Sequence, residues 1–352
     1  MKNTISRSQV AAAQQRYHQF LANVASVESQ PIANVAQGDN LQPGQIYLAN
    51  DAILTQQTFD EPLTTYAVGY KDPNNIEATL NFFAPPVLVP RRFTYKSWTQ
   101  LEEFLTDPND LRSIGSEFPT VVFTGSEVHA KTDNRGLRVR VDLDEVADPD
   151  STLAGGLPAY QARIVEKLKR RILRNSLARV IALLSAGAVN SAKTWSSGSP
   201  DPDADVANAI LAANTASGIR PNKVGFGDSA WLKRFTAYRG ELTAGSIASA
   251  DYNEQKLGDL LMADVLVSRE RSSATGSSLS EIMGNLVFLF FTQGTDLEDP
   301  SNIKRFVSTP LGGTPIRVYV QQVTSQLVDI TVSQYEKAAI TSALGLSKLT
   351  IN

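Results

Sequence analysis

Four groups of residues in this chain have types and spacings that could do chemistry. Asp228 and Ser229 follow Gly227 in VGFGDSAW, a strand-to-helix turn where an exposed serine hydroxyl could act as a nucleophile. His129 and Asp133 lie close enough in sequence to suggest an acid–base dyad. Asp201, Asp203 and Asp205 recur at a spacing of two, as oxygen ligands do in a calcium loop. Lys167, Arg170, Arg171 and Arg174 fall on one face of a helix by the i, i+3, i+4, i+7 rule and could meet a polyanion.

The first three groups are incomplete. A serine nucleophile needs a base, and no histidine follows His129. The block resembles that of GDSL-type esterases, whose catalytic histidine comes late in the chain. An ordinary strand–turn–helix with Asp228 as N-cap explains the same residues. His129 and Asp133 sit beside a turn with no nucleophile near them, and His18 falls on a helix next to Tyr17 as a surface or packing residue. The triple aspartate lacks the glycine and closing glutamate of an EF-hand. No GxxxxGK[ST] or GxGxxG occurs. The expectation is therefore no catalytic residue, no metal and no cofactor.

The basic group belongs to the longest element that the sequence predicts, a helix within Gly155–Gly187. Pro158 suits its first turn and Gly187 its stop. About 29 residues at 1.5 Å each give a rod of roughly 43 Å. Its apolar stripe changes side. Leu157, Ile164, Val165, Leu168 and Ile172 share one face, and Leu173, Leu177, Val180, Ile181 and Leu184 share another. A single core would keep one stripe, so this helix is expected to be a strut between two packed bodies. It carries Arg163, Lys167, Lys169, Arg170, Arg171, Arg174 and Arg179 against one acid, Glu166. Two readings stay open: a solvated face with ion pairs to acidic loops, or a surface turned toward a polyanion.

Composition bounds the rest. The 352 residues can bury one large core or two. A net charge of −3 restricts any nucleic-acid contact to a local patch. The absence of cysteine excludes disulfides, thiolate metal sites and cysteine catalysis. No apolar run approaches the ~18 residues of a membrane span, and the N-terminus has no apolar core of a signal peptide. A cytoplasmic product without an export route of its own is expected.

In order, Ser6–Val24 reads as an amphipathic helix and Ala25–Gly44 as an extended arm. Tyr47–Thr55 and Tyr66–Tyr70 are strand candidates. Leu80–Phe93 is apolar but broken by Pro85, Pro86 and Pro90, which keep it out of a sheet centre. Ser97 is expected to start a short helix with Gln100 in a capping box. Pro119–Phe123 and Glu127–Thr132 read as strands, Asp133–Gly136 as a turn, and LRVRVDLDEV (137–146) as an alternating strand, together a long hairpin that something must cover. Beyond the long helix come a small-residue acidic loop (196–205), helices at Val206–Ala216 and Ser229–Tyr238, and strands at Lys223–Gly227 and Ala263–Ser268. A flexible stretch (272–280) precedes the buried strand NLVFLFF (285–291), and Gly312-Gly313 marks a turn before strands at Ile316–Gln322 and Leu327–Gln334.

This order resembles the major capsid proteins of tailed bacteriophages, of the Hong Kong 97-type shell fold. LNFFAPPVLVP leads into an extension, DNRGLRVRVDLDEV into the long basic helix, NKVGFGDSAWLKRFTAYRG into a mixed segment, and LVDITVSQYEKAAI supplies a late returning strand. The resemblance covers roughly residues 50–352. It implies an α+β fold with an N-terminal arm (1–50), strands leading into the extension (51–90) and an extended β-hairpin loop (91–148). It further implies a peripheral domain (149–200 and 319–338) with its spine helix (158–186), and an axial domain (201–318 and 339–352). The chain is expected to be too short at its start for the cleaved scaffolding segment of some members, and no cross-linking pair is identifiable.

What the resemblance implies is a subunit that pairs with itself in hexamers and pentamers and closes an icosahedral shell around double-stranded DNA. It would act in the virion capsid, after assembly in the host cytoplasm. Scaffolding, portal and decoration proteins would be its further partners, with no membrane partner. Lys167, Arg170, Arg171 and Arg174 would face the lumen and its DNA without reading sequence, and Lys131, Arg135, Arg138 and Arg140 of the hairpin would pair with a neighbouring subunit. The alternatives are a cellular nanocompartment shell of the encapsulin kind, and a monomeric DNA-binding protein or serine hydrolase.

Overall fold

The structure, a computed structural model, describes residues 58–70, 75–98, 111–112, 117–118, 126–144, 156–196, 200–241, 249–273, 278–294, 297, 299–309 and 314–352. The expected helix Ser6–Val24, the arm, the strands Tyr47–Thr55 and Pro119–Phe123 and the Gly312-Gly313 turn lie outside them.

In chain order the elements begin with β1 (Thr58–Phe59), α1 (Glu61–Gly69), α2 (Ile76–Phe83), β2 (Pro86–Leu88), β3 (Arg92–Ser97), β4 (Ser126–Lys131) and β5 (Asp133–Asp142). The long helix α3 (Gly156–Gly187) follows, then β6 (Val189–Lys193), α4 (Pro202–Ser217), β7 (Lys223–Gly227), α5 (Asp228–Gly240), α6 (Glu254–Leu261) and β8 (Asp264–Ser268). The chain closes with β9 (Arg271–Ser272), β10 (Ser280–Glu281), β11 (Leu286–Phe290), β12 (Ile303–Ser308), β13 (Ile316–Gln322), β14 (Leu327–Ile340) and β15 (Ser347–Ile351).

The strands build two main sheets. One runs β1-β13-β14-β12-β2, with β5 also paired to β14; the other runs β6-β15-β11-β7-β8. Sheet membership follows burial pattern. In β11, Val287, Phe288, Leu289 and Phe290 are all fully buried, as a central strand covered on both faces requires. Pro86 sits in β2 at the end of the other sheet, where a missing N–H is tolerated.

The stripe that changes side on α3 feeds two separate cores. Ile164, Val165, Leu168 and Ile172 pack with Leu63, Ala67, Val141, Val318, Ile330 and Val332 against the first sheet. Leu173, Leu177, Val180, Ile181 and Leu184 pack with α2 and with Phe288, Phe290 and Ile303. Each fully buried aliphatic side chain contributes roughly 1.5–3 kcal/mol, so α3 is anchored at both ends independently. A third cluster lies on the other face of the second sheet, under α4, α5 and α6.

Three local expectations are corrected. Tyr66–Tyr70 is helical up to Gly69, not a strand: Asp60 accepts from the Leu63 N–H at 2.8 Å and Pro62 sits in the first turn, while Leu63 and Ala67 pack inward at helical spacing. Ser97 does not cap a helix; it closes β3, opposite Ser126 of β4. Asp133–Gly136 is not a turn, and β4 does not pair with β5. β4 pairs antiparallel with β3, from Arg92↔Lys131 to Ser97↔Ser126. β5 begins at Asp133 and lies along β14 for its whole length, from Asp133↔Glu336 to Asp142↔Leu327. The alternating strand thus belongs to a broad sheet, which buries its apolar face far better than a two-stranded ribbon would. The ribbon is β3–β4, and its own chain covers it: Phe93 and Tyr95 lie 4.5 and 5.0 Å from the Phe306 ring of β12.

Candidate assembly surface

The basic face of α3 divides in two. Arg170 donates from Nη2 to the Tyr70 hydroxyl at 2.8 Å, and Arg174 Nε lies 3.4 Å from buried Glu270. Both side chains are drawn toward partners in the same chain. Lys169 is almost fully buried, bonded to the Tyr70 carbonyl at 2.9 Å and to Glu77 at 3.3 Å. Arg179 reaches Glu336 at 2.9 Å. Lys167 and Arg171 remain exposed, and Arg163 joins them one turn earlier. The exposed stripe is therefore Arg163, Lys167 and Arg171, at i, i+4 spacing. Arg163 was missed because only the densest basic run was placed on one face; the wheel alone would have included it.

The second set splits as well. Lys131 is exposed at the end of β4. Arg135 pairs with Asp133 at 3.0 Å across a half-exposed site. Arg138 and Arg140 lie on the face of the sheet away from α3 and converge on one carboxylate, Asp329. Arg140 binds it bidentately at 2.8 and 3.0 Å, and Arg138 lies at 3.1 Å. The register Arg140↔Asp329 puts the two directly across the strands. The hydrogen bond from Arg140 holds the Asp329 carboxyl below the usual carboxylate range; burial opposes it, and the charges of Arg140 and Arg138 reinforce it.

The other candidate groups are occupied by protein partners. Asp201 caps α4, accepting from Ala204 N at 3.1 Å. Asp203 binds buried Arg234 at 2.6 and 2.8 Å, and Asp205 takes Lys193 at 2.7 Å and the Trp195 indole at 3.0 Å. The three point to separate partners, and no acidic or histidine cluster that could hold a metal occurs among the described residues. Asp228 is the first residue of α5 and not its cap, which is Gly227; it stands 3.8 Å from both Arg269 and Arg271. The Ser229 N–H donates to Glu281 at 3.2 Å. His129 Nδ1 is 2.8 Å from the Thr94 hydroxyl across the β3–β4 ribbon.

The chain matches no protein-family model and no curated protein. Among solved structures it is similar to a phage-related protein from Bordetella bronchiseptica RB50, at 17% identity over 84% of this chain and 97% of that one, with a TM-score of 0.59. It is also similar to the capsid structure of the cyanophage P-SCSP1u (8% identity, 92% and 97% covered, TM-score 0.48) and to a virus-like particle from Pyrococcus furiosus (15%, 83% and 98%, 0.47). The α+β fold expected from the order of elements is the fold that the chain shares with the Bordetella protein.

Proposed function

We propose that this chain is the major capsid protein of a tailed bacteriophage, a structural subunit that assembles with copies of itself into an icosahedral shell around double-stranded DNA. The observation that carries the reading is a fold shared with a phage-related protein over 84% of this chain and 97% of that one. The two-core anchoring of α3 supports it, because a strut fixed in two bodies transmits force between them. In this reading the body built on β14 is the peripheral domain, the body built on β11 is the axial domain, and β3–β4 is the base of the extended loop. The subunit works in the virion, after assembly in the host cytoplasm, with scaffolding, portal and decoration proteins as partners. It performs no catalysis.

Arg163, Lys167 and Arg171 face the lumen and soften repulsion from packaged DNA, with Arg170 and Arg174 holding the same helix in place. Contacts of this kind follow the phosphate backbone and carry no sequence information. Lys131, exposed at the end of β4, and Arg135, half-exposed in β5, are the residues of that set best placed to meet a neighbour.

Negative-stain electron microscopy beside light scattering tests the proposal. Closed shells, rings of five or six, or tubes are expected from the purified chain or on adding its scaffold. A monomer of 38.2 kDa that ignores both scaffold and DNA overturns the reading. Shells that hold a protein cargo in place of DNA would make it a nanocompartment subunit instead.

A further inference from the structure

Arg92 and Lys131 are direct cross-strand partners in the β3–β4 ribbon. Both are exposed, and neither has an ion pair or hydrogen bond among the described residues. Like charges set opposite each other destabilise a strand pair. The next pairs on this face are matched: His129 Nδ1 is 2.8 Å from the Thr94 hydroxyl, and Lys96 stands opposite Glu127. Glu127 is four residues along β4 from Lys131, roughly 13 Å away. Arg92, Thr94, His129 and Lys131 line a concavity of about 420 Å³. Arg91 stands next to it, exposed and 5.5 Å from the centre of the Tyr335 ring. Unneutralised cations around a hollow call for an anion from outside.

The side they face selects the anion. Phe93 and Tyr95 pack inward on Phe306, so Arg92 and Thr94 point outward. Phe306 is paired with Lys337, whereas Glu336 bonds Ser176 of α3. Alternation then puts Phe306, and the ribbon that covers it, on the face of the sheet away from α3. Arg92 and Lys131 are therefore turned away from Arg163, Lys167 and Arg171. With those three facing packaged DNA, the ribbon cations face outward, where protein carboxylates are the anions at hand.

Carboxylates of this kind stand on the same face at the far end of β5. Asp142 continues the alternation of Arg138 and Arg140, and Asp144 is beside it. Asp142 accepts from the Asp144 N–H at 3.1 Å, and neither carboxylate has a cation partner among the described residues. The sequence from Asp142 to Asp150 holds Glu145 and Asp148 as well and no basic residue. Asp133, two residues beyond Lys131, is separated from Asp142 by the length of β5, roughly 30 Å. Asp142 and Asp144 thus cannot reach the Arg92 and Lys131 of their own copy.

We propose that Asp142 and Asp144 of one copy dock on Arg92 and Lys131 of the next, on the outer side of the shell. The contact uses two different surfaces of the same chain. It is therefore head-to-tail, the type that closes a ring when the rotation between copies divides a full turn. Exposed charges joined in this way set register and orientation and reject wrong contacts more than they add affinity. The inference rests on the shell reading above and adds to it which surfaces join.

Particles assembled from an equal mixture of isotope-labelled and unlabelled wild-type chain are treated with a water-soluble carbodiimide, which joins an amine to a carboxylate in contact with it. Mass spectrometry is expected to find Lys131 joined to Asp142 or Asp144, with labelled and unlabelled chain in the same cross-link. In a second arm, Arg92→Glu with Lys131→Glu, and separately Asp142→Lys with Asp144→Lys, are expected to lose closed particles while the circular dichroism of the subunit stays unchanged. All four substitutions in one chain restore the attraction with its sign reversed and are expected to recover the particles. Wild-type particles without the mixed cross-link, or a fourfold variant that assembles no better than either half, overturn this contact and leave the shell reading standing. A wild-type chain that never assembles overturns the shell reading and this contact with it.

Discussion

Ser176 on α3 and Glu336 on β14 are both buried, and the serine Oγ lies 2.8 and 3.0 Å from the two carboxylate oxygens. The pair sits where the apolar stripe of α3 crosses from one core to the other, between Ile172 and Leu177. Arg179, Gln334 and Arg305 complete the group at 2.9, 2.9 and 3.6 Å from Glu336. Arg305 also donates to Asn81 of α2 at 2.7 Å. Burial lowers the Arg305 guanidinium from its ordinary value and Glu336 pulls it back up.

Replacing Glu336 by alanine leaves Arg305 buried without its carboxylate. Breaking one side of a buried ion pair costs about 3–5 kcal/mol. Urea unfolding followed by tryptophan fluorescence checks this, since Trp195 is buried in the second body and Trp98 beside the first. Ser176→Ala removes one hydrogen bond and is expected to cost less, about 1–3 kcal/mol. A Glu336→Ala loss below the Ser176→Ala loss would show that the arginines find water instead.

Arg234 is the counterpart in the second body. Its guanidinium is 1% exposed, clamps Asp203, donates to the Ser249 carbonyl at 3.0 Å and stacks on the rings of Trp231 and Tyr238. Arg234→Met is predicted to destabilise by roughly 3–5 kcal/mol, and Asp203→Asn by a similar amount. The double variant should lose much less than the sum, because each residue exists to satisfy the other. Additive losses in a double-mutant cycle would contradict that coupling.

Asp329 gives a pH-dependent term with a definite sign. Its folded pKa is depressed, so its contribution is present above the unfolded value near ~3.9 and is lost as pH falls through the folded value. The difference in urea midpoint between the wild type and Asp329→Asn should be constant around neutrality and shrink below pH ~4. Arg138 and Arg140 are more than half exposed, so added salt should shrink it too. A difference that persists unchanged at the lowest pH would assign the effect of the substitution to packing.

Gly225 in β7 faces the Phe83 ring of α2, and a Cβ there would overlap the ring. Phe83 itself is fully buried and stacked on Phe290 at 5.6 Å, so it has little room to retreat. Gly225→Ala is predicted to cost about 1–3 kcal/mol as overpacking, against a normal gain from removing a strand glycine. A thermal melt decides the sign.

Lys167→Glu with Arg171→Glu should leave subunit stability nearly unchanged, since both side chains are exposed and make no ion pair among the described residues. Filled shells should then hold less DNA or release it at lower salt. Unchanged DNA content across a salt series would remove these residues from the inner face.

Local pattern made much of this fold legible. Apart from Leu157, which joins neither core, the two stripes of α3 sorted into two cores residue by residue, and the unbroken apolar run at Leu286–Phe290 became the central strand of its sheet. Partners distant in sequence were not legible. Leu137–Asp142 alternates visibly, but nothing local says that its neighbour is β14, nearly two hundred residues later, and not the strand just before it. The charges followed the same rule. Arg138 and Arg140 read as partners for a neighbouring subunit because Asp329 is remote in sequence. Once the pairing is known, alternation along Val328, Ile330 and Val332 puts Asp329 on the arginines' side. Tyr66–Tyr70 failed for a different reason: short aromatic-rich segments fit either period, and the N-cap at Asp60 decided the matter.

The long strand β14 is hydrogen-bonded to β5 along Leu327–Glu336, to β13 along Val328–Gln334 and to β12 along Tyr335–Ile340. A pull along its axis loads these rungs in shear, all at once. The β3–β4 ribbon, if peeled from its open end, gives way one rung at a time. Under tension the body built on β14 would act as a stiff tie and the ribbon as a compliant seam, so the chain would yield at its ribbon before its long strand.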